Sequence, residues 1–333
     1  MNITFYGGEP LLNFSLIRKS VAYAIEIFQK QKIMFSITTN GTLITPEIAK
    51  FCSTNNINIL LSLDGPKEIH DRYRKTSNGN GSYQNTIRGL RYLYKAYGKK
   101  YKDKVKINMV YAPPYTVEEM GKRINLWKEN EYLSNDLKAR LVYYIGPRLT
   151  GVSHKEEESF REWAFQEYIS KMQKNESPHP IAKHLIENFM ALISQRTVYE
   201  NAAREFPLNS CCIPGLKRIY TTTSGNFKVC EQIPISAPYI GNIKKGVDIE
   251  KIYEFYYREY SAMNLEICKR CWAINICDSC YVDGFGDKGM SSDLKKDKCI
   301  FIRLNTESKL YYFLKALEIM PQLVNYLQSI KLT

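Results

Sequence analysis

Eight of the nine cysteines fall between positions 211 and 299 of a 333-residue chain. After Cys212 come twelve residues to Gly225 and four more to Cys230. Further on stand Cys268-x2-Cys271-x5-Cys277-x2-Cys280, and then Cys299. Two thiolates separated by two residues can meet one metal centre from a single tight turn. A disulfide framework fits poorly, because the opening MNITFYGGEP has neither the basic n-region nor the small-residue cleavage site of a secretory leader. The expected compartment is the cytoplasm, where thiols stay reduced. The cysteine count leaves the metal open, since two zinc sites need eight ligands just as two iron–sulfur clusters do. Histidine does not extend the set, because His70, His154, His179 and His184 all lie outside the cysteine-rich stretch. Cys52 sits on an expected helix and reads as a buried, inert thiol.

A second group of residues lies near the N-terminus. Gly7-Gly8-Glu9-Pro10, Thr38-Thr39-Asn40-Gly41 and Ser62-Leu63-Asp64-Gly65 each follow an apolar, strand-like run. Paired glycines let a ligand touch the backbone, and a neighbouring carboxylate can hold an ammonium group. The small polar groups suit a ribose or an amino-acid carboxylate.

The elements that must position these groups alternate in type. Strands are expected at Ile3–Tyr6, Met34–Thr38, Ile57–Leu63, Val105–Tyr111 and Ala139–Ile145, with amphipathic helices between them. Ser15–Lys32 has helical spacing with Ser15 as its expected N-cap. Thr45-Pro46 opens the next helix, and Thr116 with Glu119 reads as a capping box. Such a βαβα run predicts a parallel sheet with right-handed crossovers, and functional loops beyond the C-terminal strand ends. Residues 152–206 read as helices broken by Ser-Pro-His-Pro, with a domain boundary expected near Pro207. The cysteine-rich stretch is irregular, with short strands at Arg218–Thr222 and Phe227–Val229. A helix is expected from Glu307 onward, kinked at Pro321, with Leu310, Phe313, Leu314, Leu317, Leu323 and Leu327 on its core side.

FYGGEP, TTNG and LSLDGP, in this order, resemble the radical S-adenosylmethionine (radical SAM) enzymes, specifically those with a C-terminal SPASM domain. The resemblance implies an α/β fold: a partial (β/α)6 barrel, lacking its first strand, over residues 1–150. It implies a helical bridge over 151–206, an irregular SPASM domain over 207–305 and a C-terminal helix over 306–333. By this resemblance Gly7, Gly8 and Glu9 face the methionine amino group of S-adenosyl-L-methionine, and Asn40, Ser62 and Arg74 lie near its ribose and carboxylate. Seven cysteines follow the SPASM pattern with one departure, x2 before Cys280 where the family has x3. The resemblance assigns Cys268, Cys271, Cys277 and Cys299 to one auxiliary [4Fe–4S] cluster and Cys212, Cys230 and Cys280 to a second. Cys211 is either the missing ligand of the second cluster or a thiol beside it. Glu231, directly after Cys230, corresponds to an acidic residue that acts as general base in related sulfatase-maturing enzymes.

The family's C-x3-C-x2-C motif lies upstream of the GGEP strand, and no cysteine precedes Cys52. The expectation is a fragment, inactive as given, with the cofactor-cleaving cluster present only in a full-length form. The implied activity is oxidative crosslinking of a ribosomally made precursor peptide, for example into a thioether, with a flavodoxin or ferredoxin as reductant. The alternatives are a formylglycine-forming sulfatase maturase and a zinc-stapled binding scaffold without catalysis. A formal charge of +13 permits nucleic acid, but no basic stripe interleaved with aromatics supports it, so no nucleic-acid partner is expected. No apolar run is long enough to span a membrane.

Overall fold

The computed structural model describes residues 1–112, 116–133, 137–143, 154–196, 212–216 and 218–330. The chain divides into two compact units, Met1–Asn188 and Phe189–Thr333.

The first unit is built on five parallel strands: β1 (Asn2–Phe5), β2 (Met34–Thr39), β3 (Asn58–Ser62), β4 (Val105–Tyr111) and β5 (Ala139–Tyr143). Their spatial order follows the chain, β1-β2-β3-β4-β5. All five expected strands are therefore present, the first four each within one residue of the expected bounds; the end of the expected fifth strand, residues 144–145, lies outside the described residues. The connections carry α1 (Phe14–Ile27), α2 (Pro46–Thr54), α3 (Lys67–Tyr73), α4 (Tyr83–Tyr97), the single turn α5 (Tyr101–Lys104) and α6 (Val117–Glu129). After β5 follow α7 (His154–Gln173) and α8 (Pro180–Ser194), separated at the expected Ser-Pro-His-Pro break.

Period-two burial fixes which face of the sheet is covered. Phe35, Ile37, Ile59, Leu61, Val105, Ile107 and Met109 are buried in one core with Ile17, Val21, Cys52, Leu90, Leu93 and Met120 from the helices. Each such aliphatic side chain contributes roughly 1.5–3 kcal/mol. Side chains on the other face are mostly polar, with Leu60 an exception: Thr4 pairs in register with Ser36, Leu60 with Lys106, and Ser62 with Asn108. In open parallel sheets a ligand binds beyond the C-terminal strand ends.

Helix caps follow local chemistry, with one correction. Thr45 caps α2 by accepting from Ile48 N, with Pro46 at the first helical position. The cap of α1 is Asn13, not Ser15, because a short 3₁₀ turn at Pro10–Asn13 delivers the Asn13 side chain to Leu16 N. The helix also ends at Ile27, earlier than expected.

The second unit has a four-stranded antiparallel sheet: β6 (Tyr220–Thr221), β7 (Asn226–Lys228), β8 (Gly241–Asn242) and β9 (Gly246–Val247). After α9 (Ile249–Lys251), a π-helical stretch at Ile252–Glu259 runs into α10 (Tyr260–Cys268). A hairpin of β10 (Phe285–Gly286) and β11 (Gly289–Met290) leads into α11 (Ser292–Ile319), and α12 (Leu323–Ser329) follows Pro321. Tyr256, Tyr260, Tyr281 and Phe285 form an aromatic core, with Tyr260 and Tyr281 centroids 4.7 Å apart. The long helix starts fifteen residues before the expected Glu307, because Ser291 caps it through Leu294 N. Cys299 therefore lies within a helix. The expected apolar stripe is also corrected: α11 buries Thr306, Tyr312 and Ala316, and Leu314 is 58% exposed. Leu323 and Leu327 are buried as expected.

Candidate functional site

The polar groups at the ends of β1 and β2 are tied together by one carboxylate. Glu9 Oε1 accepts from Leu11 N (3.1 Å) and Thr39 Oγ1 (2.8 Å), and Glu9 Oε2 accepts from Asn40 N (2.8 Å). Three of its roughly four acceptor sites are used, so about one lone pair still faces outward. Beside it Gly7 has φ of 146°, and a Cβ added at Gly7 or Gly8 would meet no atom within 4 Å. The backbone there is open to an approaching ligand. Asn40 Oδ1 accepts from Thr42 N and Thr42 Oγ1, and its carbonyl accepts from Thr86 Oγ1 at 2.9 Å. Gly41 packs so closely under Leu61 that a side chain would clash there, at a φ of 78°.

A second strap closes the ends of β3 and β4. Asp64 Oδ1 accepts from Val110 N (2.9 Å) and Arg74 Nη2 (3.1 Å), while Arg74 Nε donates to Asp64 Oδ2 at 2.5 Å. Arg74 thus stands at the strand ends with its guanidinium already engaged. Ser62, at the end of β3, is buried. Behind this strap, Arg123 is 1% exposed, donates to Asp64 O at 2.9 Å and lies 4.9 Å from the Tyr111 ring centroid. Glu119 receives both Arg72 and Arg123, and the arginines hold its carboxyl below the usual range against the opposing effect of burial. Thr116 does cap α6, but the Glu119 carboxylate turns to the arginines instead of completing the box. Buried His70 accepts from Asp64 N at Nδ1, so its Nε2–H donates to Ser82 Oγ at 3.1 Å. Burial pulls its pKa from 6.5 to about 4, which keeps it neutral. No local pattern marks this Asp64–Arg74–Arg123–Glu119–Arg72 network, because apart from the Arg123–Glu119 pair, four positions apart, its bonded pairs lie 10 to 59 positions apart.

In the second unit, Cys268, Cys271, Cys277 and Cys299 line a single recess with Ile267, Ala273, Ile274, Ile302, Lys295 and Arg303. These are the four cysteines expected to share one centre. Cys268 ends α10, Cys299 comes from α11, and Cys271 and Cys277 come from the loop between. The loop is fixed by Tyr260 OH, which donates to Cys280 O at 3.0 Å, and by Asp283 Oδ2, which accepts from Cys280 N at 2.9 Å. Burial pushes the Cys268 thiol up to about 11 and raises Cys277, Cys280 and Cys299, although Lys295 pulls each of them down. A metal entering the recess must therefore displace protons.

Among the described residues, no three His, Cys, Asp or Glu side chains converge as the ligands of a single metal ion. A lone zinc needs sulfurs about 2.3 Å from one point, whereas a four-iron cube takes one thiolate at each of four separated corners. Four thiols line this recess, the number of ligands such a cube takes. Of the expected second set, Cys230 and Cys280 are electrostatic neighbours, and Cys230 faces Tyr256. Cys212 is partly exposed, and Cys211 lies outside the described residues. Glu231 is paired with Arg218, whose Nη1 is 3.2 Å from both carboxylate oxygens. Cys52 is buried, and burial pushes its thiol up to about 12. The sequence reading missed Lys295 and Arg303 at the recess. Their signal was spacing, since Lys295, Cys299 and Arg303 recur every four residues and so share one face of α11.

Residues 2–126 match the family model of the radical SAM superfamily. Over 93 residues the chain is 38% identical to the radical SAM cyclopropyl synthase TigE of Paramaledivibacter caminithermalis, covering 28% of this chain and 19% of that protein. Over 91 residues it is 37% identical to a cysteine-type anaerobic sulfatase-maturating enzyme of Clostridium novyi, covering 27% and 24%. An uncharacterized protein, MJ0907 of Methanocaldococcus jannaschii, is 41% identical over 97 residues, 29% of this chain and 33% of that one. The chain thus spans a third or less of these relatives' lengths. The solved structure of native anSMEcpe with bound AdoMet superposes with a TM-score of 0.67 at 21% identity, covering 99% of this chain and 85% of that one. The same protein with AdoMet and the Kp18Cys peptide gives the same score. Residues 2–126, which carry β1 to β4 with their glycine- and acid-bearing strand ends, are thus similar to the radical SAM superfamily.

Proposed function

We propose that the chain is part of a radical SAM peptide maturase with a SPASM-type second unit holding two auxiliary [4Fe–4S] clusters. The observation that supports this reading is that Cys268, Cys271, Cys277 and Cys299 line one recess, in a chain whose residues 2–126 match the radical SAM superfamily model. Cys212, Cys230 and Cys280 form the second ligand set, with Cys211 as the candidate fourth. S-adenosyl-L-methionine, held at its methionine end by Gly7, Gly8 and Glu9, would supply hydrogen-atom abstraction chemistry when bound.

The chain's own residues bind and orient. Gly7 and Gly8 leave the backbone open for the methionine end, and Glu9 offers its remaining lone pair to the ammonium. Glu9 also holds Asn40 at the neighbouring strand end. Ser62 and Arg74 stand at the end of β3, with Arg74 aimed by Asp64. Glu231 accepts a substrate proton in competition with Arg218. The substrate would be a ribosomally made peptide, oxidised to a crosslink such as a thioether, in the cytoplasm and with a flavodoxin or ferredoxin as reductant; the cysteines of the second unit would hold the clusters that take up the electrons released. Among the described residues, no helix is long and apolar enough to cross a membrane. The matched relatives include both a cyclopropyl synthase and sulfatase maturases, so formylglycine formation is the second reading.

Calorimetric titration of S-adenosyl-L-methionine into the anaerobically reconstituted protein tests the cofactor assignment. Saturable binding is expected, weakened at least tenfold in Glu9→Gln; a flat titration contradicts the reading. The two chemistries separate by mass spectrometry of a cysteine-bearing peptide. Loss of two hydrogens from a cysteine and its partner residue marks a crosslink, and replacement of the thiol by an aldehyde marks the sulfatase type.

A further inference from the structure

Lys295 is 0% exposed, in the first turns of α11. It lines the same recess as Cys268, Cys271, Cys277 and Cys299. Its ammonium donates to Ser279 Oγ and to Tyr260 OH (3.4 Å), and it lies 5.9 Å from the Tyr260 ring centroid. Ser279 Oγ passes a hydrogen bond on to Asp283 Oδ2 at 3.0 Å, and that carboxylate is also used by Cys280 N. Among the described residues Lys295 forms no ion pair with a carboxylate. A buried ammonium contacting only hydroxyls is costly unless a negative charge stands nearby. The nearest carboxylate on this path, Asp283, is reached only through Ser279 and is shared with Cys280 N; the recess adds negative charge in direct line when its thiols are ionised around a metal centre. A second cation, Arg303, faces the recess two turns further along the helix. The nearby acid Asp278 is neutralised by Lys309.

We propose that Lys295 is a positioning residue for the cluster held by Cys268, Cys271, Cys277 and Cys299, its ammonium offsetting the thiolate charge and raising the cluster's reduction potential. The inference rests on the auxiliary-cluster reading above. Four thiolates around a [4Fe–4S]2+ cube sum to a net charge of −2. One electron, delivered by dithionite in the assay or by the reductant protein in the cell, converts [4Fe–4S]2+ to [4Fe–4S]+ and the sum to −3. No bond to Lys295 forms or breaks, and its protons stay in place. A fixed positive charge in a dry recess stabilises the more negative, reduced state.

The test is an EPR-monitored dithionite titration of the reconstituted full chain, comparing wild type, Lys295→Gln and Lys295→Arg, with iron and labile sulfide measured in each sample. The signal of this cluster is identified by its loss in Cys299→Ser. Lys295→Gln keeps a hydrogen-bonding head without the charge. Its reduction equilibrium constant is expected to fall at least tenfold, which is 59 mV for a one-electron couple, while Lys295→Arg stays near wild type. Iron lost from Lys295→Gln but kept by Lys295→Arg expresses the same charge requirement at assembly. Intact clusters with one unchanged potential in all three proteins overturn the proposal, as does loss of iron from both variants, which marks a merely structural role. Wild-type protein without iron and sulfide overturns the cluster reading itself, a result distinct from either.

Discussion

Asp64→Asn is expected to weaken the first unit by about 2 kcal/mol, because it discharges the strap that joins β3, β4 and Arg74. The wild-type carboxylate takes two hydrogen bonds from Arg74 and one from Val110 N. Asparagine retains one acceptor for Val110 N but leaves the guanidinium without its counter-charge. Hydrogen bonds to charged groups contribute about 1.5–3 kcal/mol each. Arg74 is 25% exposed at its side chain, so water restores part of what is lost. Asp64→Leu also orphans Val110 N and should cost roughly 4 kcal/mol, the added 1–3 kcal/mol being the penalty for an unpaired buried donor. With a urea slope of about 2 kcal/mol per molar, Asp64→Asn moves the midpoint down by about 1 M. Trp127 and Trp163 report on this unit by fluorescence, and a Trp272→Phe background removes the tryptophan of the other unit. A cycle with Arg74→Leu should return a coupling of about 1.5–2 kcal/mol. Midpoints within about 0.25 M of wild type, or no coupling to Arg74, would refute the strap.

His70 and His179 are both buried, and burial lowers each pKa from 6.5 to about 4. The unfolded chain gains these protons near pH 6.5 and the native chain only near pH 4. Stability is therefore whole above pH 6.5 and drains away as the pH falls toward 4, by roughly 3 kcal/mol per histidine. Melting temperatures at pH 7, 6 and 5 should show the decline, and His70→Gln should flatten it by about half. Gly41→Ala meets Leu61 at a positive φ and is expected to cost at least ~1 kcal/mol, read by the same urea titration. Cys299→Ser should lower bound iron by about four per chain, while Cys52→Ser leaves iron unchanged. The Cys52 thiol, raised to about 12 by burial, should resist alkylation in the native protein and react once it is unfolded.

The strands were legible because each is a short apolar, β-branched run ended by Gly, Asn or Asp, and the structure places the first four within one residue of their expected bounds. The cysteine grouping was legible through spacing, and Cys268, Cys271, Cys277 and Cys299 do line one recess. What stayed hidden depends on chain-distant partners. Glu119 looked like half of a capping box because a local pattern cannot reveal Arg72, 47 positions away. Asp64 looked like a ligand-binding group, yet its carboxylate spans two strands. The start of α11 was hidden because Asp293 to Lys298 is highly charged and offers little apolar periodicity, although Ser291 supplies a clear cap. Lys295 carried no local mark in the sequence, yet it is the most buried of the described lysines.

Whether the thiols of the second unit hold iron–sulfur cubes is decided by iron, zinc and acid-labile sulfide, quantified per chain after anaerobic reconstitution. About eight irons and eight sulfides per chain are expected, falling to about four of each in Cys268→Ser. Stoichiometric zinc with no labile sulfide would rule the cubes out.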